Sequence, residues 1–260
     1  MLHHEISGNG KKPLVLLHGF MENTTIWDEM EAHLSKDFTL IKIDLPGHGK
    51  SKVYQEIHTV ELMAEKVKEV IDALKLEKIN LLGHSLGGYV SLAFAENFPE
   101  ILESMTLFFS TTVADDEEKK AIRKRSIAVI DENFETFVKT SIPNLFSNNE
   151  KDILEGKIEL AKNIAKSTDK EGVKAAQLGM AERPDRTEIL ENLDAKILII
   201  AGKYDNAVKT ENLLKIIPEK TNIKTYVLDC GHNGHWEKPT ICAEIINTEL
   251  LHNLPKHFLL

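Results

Sequence analysis

Cysteine is almost missing from this 260-residue chain, which has only Cys230 and Cys242. Two thiols build neither a disulfide framework nor a four-ligand zinc site by themselves. Arginine is scarce as well: of 32 basic residues 28 are Lys, and the four Arg are Arg123, Arg125, Arg183 and Arg186. There is no apolar run of about 20 residues, the length a membrane-spanning helix needs. The start, Met1-Leu2-His3-His4-Glu5, lacks a basic region followed by an apolar one, so no secretory signal is read and a cytoplasmic protein without a membrane partner is expected. Surplus positive charge is also absent. A net charge of −9 argues against nucleic acid as a partner, because phosphate binding needs clustered cations. What remains is an ordinary globular composition, 42% hydrophobic and 28% charged, at a length that suits one α/β domain carrying an insertion.

Short apolar runs alternate with stretches of helical period, the pattern of a doubly wound, mostly parallel sheet covered by helices on both faces. Strands are predicted at 14–17, 39–43, 79–82, 105–109, 197–200 and 224–228. Val60, Met63, Ala64, Val67, Val70, Ile71 and Leu74 recur at 3/4 spacing and predict an amphipathic helix; 240–251 reads the same way. The rhythm breaks once, after the fourth of these strands. From 111 to 187 only helix-like stretches occur, near 115–130, 134–140, 151–166 and 171–182. This segment holds 14 basic and 15 acidic residues, so nearly all of the net charge falls on the flanking parts. The expected organisation is a core of 1–110 and 188–260 and an all-helical cap of 111–187.

The strongest chemical signal is Gly83-His84-Ser85-Leu86-Gly87-Gly88, between a predicted strand and a predicted helix. In a G-x-S-x-G turn the serine sits on a strained strand-to-helix corner, and glycine removes side chains that would collide with neighbouring backbone. A serine is a weak nucleophile unless a base, oriented by a third group, takes its proton. Asp205 follows the strand at 197–200, and His232 follows the strand at 224–228, both at the strand ends where open α/β sheets bind ligands. Asp229 and His235 are the rivals for acid and base. His84 is expected to pack. Two backbone N–H donors are needed for the developing oxyanion. Leu86, after the nucleophile, supplies one, and Phe20 in Leu17-His18-Gly19-Phe20-Met21 is expected to supply the other.

Together His18-Gly19-Phe20, Asp44-Leu45-Pro46-Gly47-His48-Gly49-Lys50-Ser51, Gly83 to Gly88, Gly202-Lys203-Tyr204-Asp205 and Gly231-His232-Asn233-Gly234-His235-Trp236-Glu237-Lys238-Pro239 carry a resemblance. Residues 13–109 and 188–250 resemble the α/β-hydrolase superfamily, in its single-cap branch of small esterases, lactonases and carbon–carbon bond hydrolases. The resemblance implies a Ser85, Asp205, His232 triad, no metal and no organic cofactor. With Ser85 rather than Asp as nucleophile, epoxide and haloalkane chemistry are disfavoured. Members of this branch begin with two antiparallel strands, whereas only 2–7 precede the first loop, so one edge strand is expected to be missing or short.

The expected activity is hydrolysis of small-molecule carboxylic esters through an acyl-enzyme on Ser85, by a monomer or homodimer. Lactonase, carbon–carbon hydrolase and cofactor-free perhydrolase activities use the same triad, and a hydrolase-fold ligand receptor is the alternative from another class. Phe20, Met21, Phe109, Phe134, Phe137, Leu145, Phe146, Met180 and Trp236 are candidate pocket-lining residues. Arg123 and Arg125 are candidates for binding an anionic group, against surface or cap-to-core ion pairs, for which Arg183-Pro184-Asp185-Arg186 at the cap's exit reads as a latch.

Overall fold

The computed structural model describes residues 1–251, without the side chain of residue 150. Seven strands form one sheet: β1 His4–Ser7, β2 Lys12–Leu17, β3 Phe38–Ile43, β4 Ile79–His84, β5 Leu102–Phe108, β6 Lys196–Gly202 and β7 Ile223–Leu228. Their order is β1-β3-β2-β4-β5-β6-β7, with β1 antiparallel to β3 and every other pairing parallel. The short edge strand expected before the first loop is therefore present as four residues, with His4 opposite Ile43 and Ser7 opposite Leu40.

Ten α-helices, besides four short 3-10 turns, accompany the sheet among the described residues: α1 Asp28–Leu34, α2 Val60–Ala73, α3 Leu86–Asn97, α4 Glu117–Ser141, α5 Lys151–Ser167, α6 Lys170–Glu182, α7 Glu188–Asn192, α8 Thr210–Lys215, α9 Gly234–Glu237 and α10 Pro239–Leu251. Side chains alternate across a strand, so each strand feeds two cores. Val15 and Leu17 of β2 pack with α2 and α3 on one face, and Leu14 and Leu16 pack with α1 and α10 on the other. Both cores are continuous apolar clusters, and α3 is buried over nearly its whole length.

Helices α4 to α6 lie between β5 and β6, where the sequence places a helical insertion. The two helices expected near 115–130 and 134–140 are both present within α4, on either side of Asn133, whose φ of −154° and ψ of 85° are not helical. Phe109, expected in a strand, lies just beyond β5 with φ 50°. The sequence reading passes over α1, although Ile26, Trp27, Met30 and Leu34 mark its buried side. No helix among the described residues is long and apolar enough to cross a membrane.

Candidate active site

Ser85 stands between β4 and α3 with φ 49° and ψ −110°, a conformation that a non-glycine residue holds only when its surroundings impose it. Its N–H donates to Phe108 O of β5 at 3.0 Å, and the Gly88 N–H donates back to Ser85 O at 2.9 Å. Gly83 makes the corner possible, since a Cβ there would stand 2.1 Å from Gly87 O. Leu86 N–H opens α3, and Phe20 lies on the loop after β2. The bonds that close these two turns come from other donors, Gly88 and Tyr89 at the first and Glu22 at the second.

Asp205 and His232 are brought together from the ends of β6 and β7. Asp205 Oδ2 is 2.7 Å from His232 Nδ1, and both side chains are almost fully buried. The other oxygen, Oδ1, accepts the N–H groups of Ala207 at 2.7 Å and Val208 at 2.8 Å, which fixes the carboxylate plane. Their loops can approach because a Cβ at Gly202 would stand 2.0 Å from Gly231 O. Burial disfavours the charged ring, but the charge and hydrogen bond of Asp205, aided by Glu22 and Glu237, raise His232 above the ordinary histidine value. Of the rivals, Asp229 is exposed and pairs with Lys203, and His235 is wholly buried, with burial and the neighbouring His84 keeping it well below the ordinary value.

His84 does more than pack. Its Nε2 lies 3.0 Å from the His232 carbonyl oxygen and its Nδ1 2.8 Å from Glu22 Oε2, with its ring centroid 5.1 Å from that of His232. Glu22 is a residue the sequence reading missed; its only signal is an acid three places after Gly19, directly after the apolar pair Phe20-Met21. Glu237 is a second, named there only within a motif. It accepts the N–H groups of Gly231 at 2.9 Å, Asn233 at 3.2 Å and Ser147 at 3.2 Å, and so ties the His232 loop to the insertion. His232 N–H also donates to Leu145 O of the insertion at 2.8 Å.

The candidate lining residues fall into the apolar cores. Met21, Phe109, Phe146 and Trp236 are buried in one cluster, against which Phe20, Phe134, Phe137 and Leu145 pack, and Met180 belongs to the other. Phe146 stacks on Trp236 at 6.0 Å and 7°. The arginines do not gather at Ser85. Arg123 pairs with Asp115 through Nε and with Gln177 Oε1 at 3.1 Å, while Arg125 is exposed on α4. Arg183 also meets Asp115, at 2.9 Å, and lies over the Tyr89 ring at 3.9 Å. Arg186 joins Glu61 of α2 at 2.6 Å and Glu96 of α3 at 2.8 Å. Both cysteines are free and buried, and burial pushes their thiols up, so neither offers a ready thiolate.

The chain is similar to known proteins in sequence and fold. A 2-hydroxy-6-oxononadienedioate/2-hydroxy-6-oxononatrienedioate hydrolase of Escherichia coli is 26% identical over 252 residues, covering 91% of this chain and 86% of that protein. An uncharacterized protein of Mycobacterium tuberculosis is 34% identical over 111 residues, a match to 43% of this chain that spans only 32% of that relative's length. The structure of a thermophilic esterase from Thermogutta terrifontis superposes with a TM-score of 0.89 at 32% identity, covering 96% of this chain and 93% of that one. The sequence profile of the alpha/beta hydrolase fold matches residues 12–239. With that match over most of its length, the chain belongs to the alpha/beta hydrolase fold family.

Proposed function

We propose that the protein is a serine hydrolase that cleaves carboxylic esters of small molecules through an acyl-enzyme on Ser85. The observation that carries this reading is the buried Asp205–His232 pair at 2.7 Å, on loops that leave the same end of the sheet as the strained Ser85 corner. Ser85 Oγ attacks the ester carbonyl carbon while His232 Nε2 takes the hydroxyl proton, and Asp205 orients the ring and stabilises its cation. The carbonyl oxygen becomes an oxyanion that the Phe20 and Leu86 N–H groups receive, each worth about 10²- to 10³-fold in kcat. The C–O bond to the alcohol then breaks, His232 returns the proton to the leaving oxygen, and water repeats the sequence in reverse to release the acid.

The helical insertion acts as a cap over this site and supplies the acyl or alcohol pocket from apolar side chains. Phe20 and Phe137, half-buried against the apolar core that holds the stacked Phe146 and Trp236, suit a neutral acyl group. An anionic group has less to meet, because Arg123 is already paired with Asp115. The relative from Escherichia coli is a hydrolase named for dioate compounds, and its similarity favours carbon–carbon hydrolysis as the second reading. A panel of p-nitrophenyl esters graded by acyl length and charge, together with a lactone and a 2-hydroxy-6-oxo-dienoate, separates the two. The ester reading expects the highest kcat/KM on a short neutral acyl ester. A dienoate turned over faster than every ester would replace it with the carbon–carbon reading.

A further inference from the structure

Behind His232 lies a buried charged group that the catalytic steps above do not use. Glu22 Oε2 accepts the Gly19 N–H at 2.6 Å and meets His84 Nδ1 at 2.8 Å. His84 Nε2 in turn lies 3.0 Å from the His232 carbonyl oxygen. A carbonyl oxygen only accepts, so Nε2 carries a proton, and the contact between Nδ1 and the carboxylate needs a second one. His235 closes the group, with its Nε2 3.7 Å from Glu22 Oε1 and its ring 4.6 Å from that of His84.

A metal ion is the first alternative, because the ligand atoms of Glu22, His84 and His235 all lie within 4.8 Å of one another. The Nδ1 to Oε2 separation of 2.8 Å speaks against a tetrahedral zinc that takes these two atoms. Two ligands about 2.1 Å from a tetrahedral zinc stand roughly 3.4 Å apart, so this contact has the length of a hydrogen bond. Packing alone is the second alternative. A buried ion pair is a poor device for stability by itself, and here each partner belongs to a different catalytic segment: Gly19 precedes Phe20, His84 precedes Ser85, and the carbonyl is that of His232.

We propose that Glu22 is a positioning residue: its carboxylate, through Gly19 N–H and through His84, holds the oxyanion loop, the Ser85 corner and the His232 loop in one register. This rests on the Ser85, Asp205, His232 reading above. Burial would raise the Glu22 carboxyl, but the charge and hydrogen bond of His84, with His235 and His18 close by, hold it down to about 2, so its charge persists at working pH. That charge also helps to raise His232 against the burial that lowers it, adding to the larger effect of Asp205.

The test compares wild type, Glu22→Gln and Glu22→Asp on p-nitrophenyl acetate, with competent sites counted by fluorophosphonate titration so that unfolded molecules drop out. Glu22→Gln is expected to lower kcat per competent site about 10- to 100-fold, the scale of a small misplacement of reacting groups, with KM nearly unchanged. It should also move the acidic limb of kcat/KM to lower pH. Glu22→Asp keeps the charge and should return the limb towards wild type. In case the Gln variant does not fold, nitrogen-15 imidazole spectra of the wild-type protein are expected to show protons on both His84 nitrogens. A Gln variant with wild-type kcat per site and an unmoved limb, or a His84 ring with one nitrogen bare, overturns the positioning role. A wild type that neither turns over nor takes the phosphonate defeats the catalytic reading itself, and the positioning role with it.

Discussion

Ser85 is held where a serine does not rest on its own, and a backbone of that kind costs on the order of 1–3 kcal/mol that the neighbours must over-determine. Gly83 is the most exposed point of that arrangement to mutation. In Gly83→Ala the new methyl would meet Gly87 O at 2.1 Å, backbone against backbone with no flexible side chain to yield. The expected result is a loss of about 3 kcal/mol or more in stability, read as a lowered Tm, together with loss of turnover. A variant that melts with the wild type would show that the corner relaxes. In the proposed mechanism Asp205 acts on His232, 2.7 Å away, rather than on substrate. Because His232 works as a base only when neutral and its pKa lies above the ordinary value, the acidic limb of kcat/KM should fall above pH 6.5. Asp205→Asn removes that charge, so the limb should move down while kcat drops roughly 10⁴-fold, the size seen for this substitution in serine triads. A pH–rate profile of both proteins checks the pair, and an unmoved limb would dissociate Asp205 from His232.

The helical insertion is joined to the rest of the molecule by Arg186 and by the His232 loop, and pinned internally at Asp115. Arg186 reaches α2 and α3 from the stretch before α7, and Arg183 and Arg123 converge on the buried Asp115. Arg123→Lys is therefore expected to lower Tm, because Lys cannot reproduce the guanidinium bonds to both Asp115 and Gln177. Arg125→Lys should be neutral at its exposed position. Neither should change the ratio of KM values for a carboxylate-bearing and a neutral ester; a rise for the charged ester alone would restore the anion pocket that the scarcity of arginine suggests. Most of this element scale was legible beforehand. Strands such as 14–17 are continuous apolar runs because both sheet faces are buried, and α2 announces itself by period. Phe109 was misassigned for a definite reason: its apolar side chain continues the run of β5, whereas its backbone turns to φ 50°, which no hydrophobic pattern reports. The break at Asn133, by contrast, is legible as the gap between the helix-like stretches 115–130 and 134–140.

For the whole molecule, the buried ionisable groups set the acid limit of the fold. His48 is lowered to about 3 by burial, with His18 next to it, and His18 and His235 are lowered mainly by burial; each contributes stability above the unfolded histidine value of 6.5 that is lost as pH falls towards its folded value. Glu22, Asp115 and Glu61 are lowered despite burial by His84, by Arg183 and Arg123, and by Arg186; they contribute above the unfolded carboxylate values of 4.5 and 3.8 and lose it as pH falls through the folded ones. His232 acts in the opposite sense, its share being complete below 6.5 and lost as pH rises through its higher folded value. The urea midpoint should thus decline from about pH 6.5 downward and steepen below 4.5; a flat midpoint down to pH 3 would contradict this charge assignment. At this scale the sequence shows Ser85, Asp205 and His232, the proposed nucleophile, acid and base, because each sits at a strand end within a recognisable turn. It hides Glu22 and Glu237 because their work lies in joining segments distant in the chain, Glu22 with His84 and Glu237 with Ser147. The most direct test of the central claim is labelling by a fluorophosphonate followed by peptide mass spectrometry, in wild type and Ser85→Ala. The account predicts one adduct, on Ser85, with labelling and p-nitrophenyl acetate hydrolysis both abolished in the variant. An adduct on another residue, or hydrolysis that survives the substitution, would contradict it.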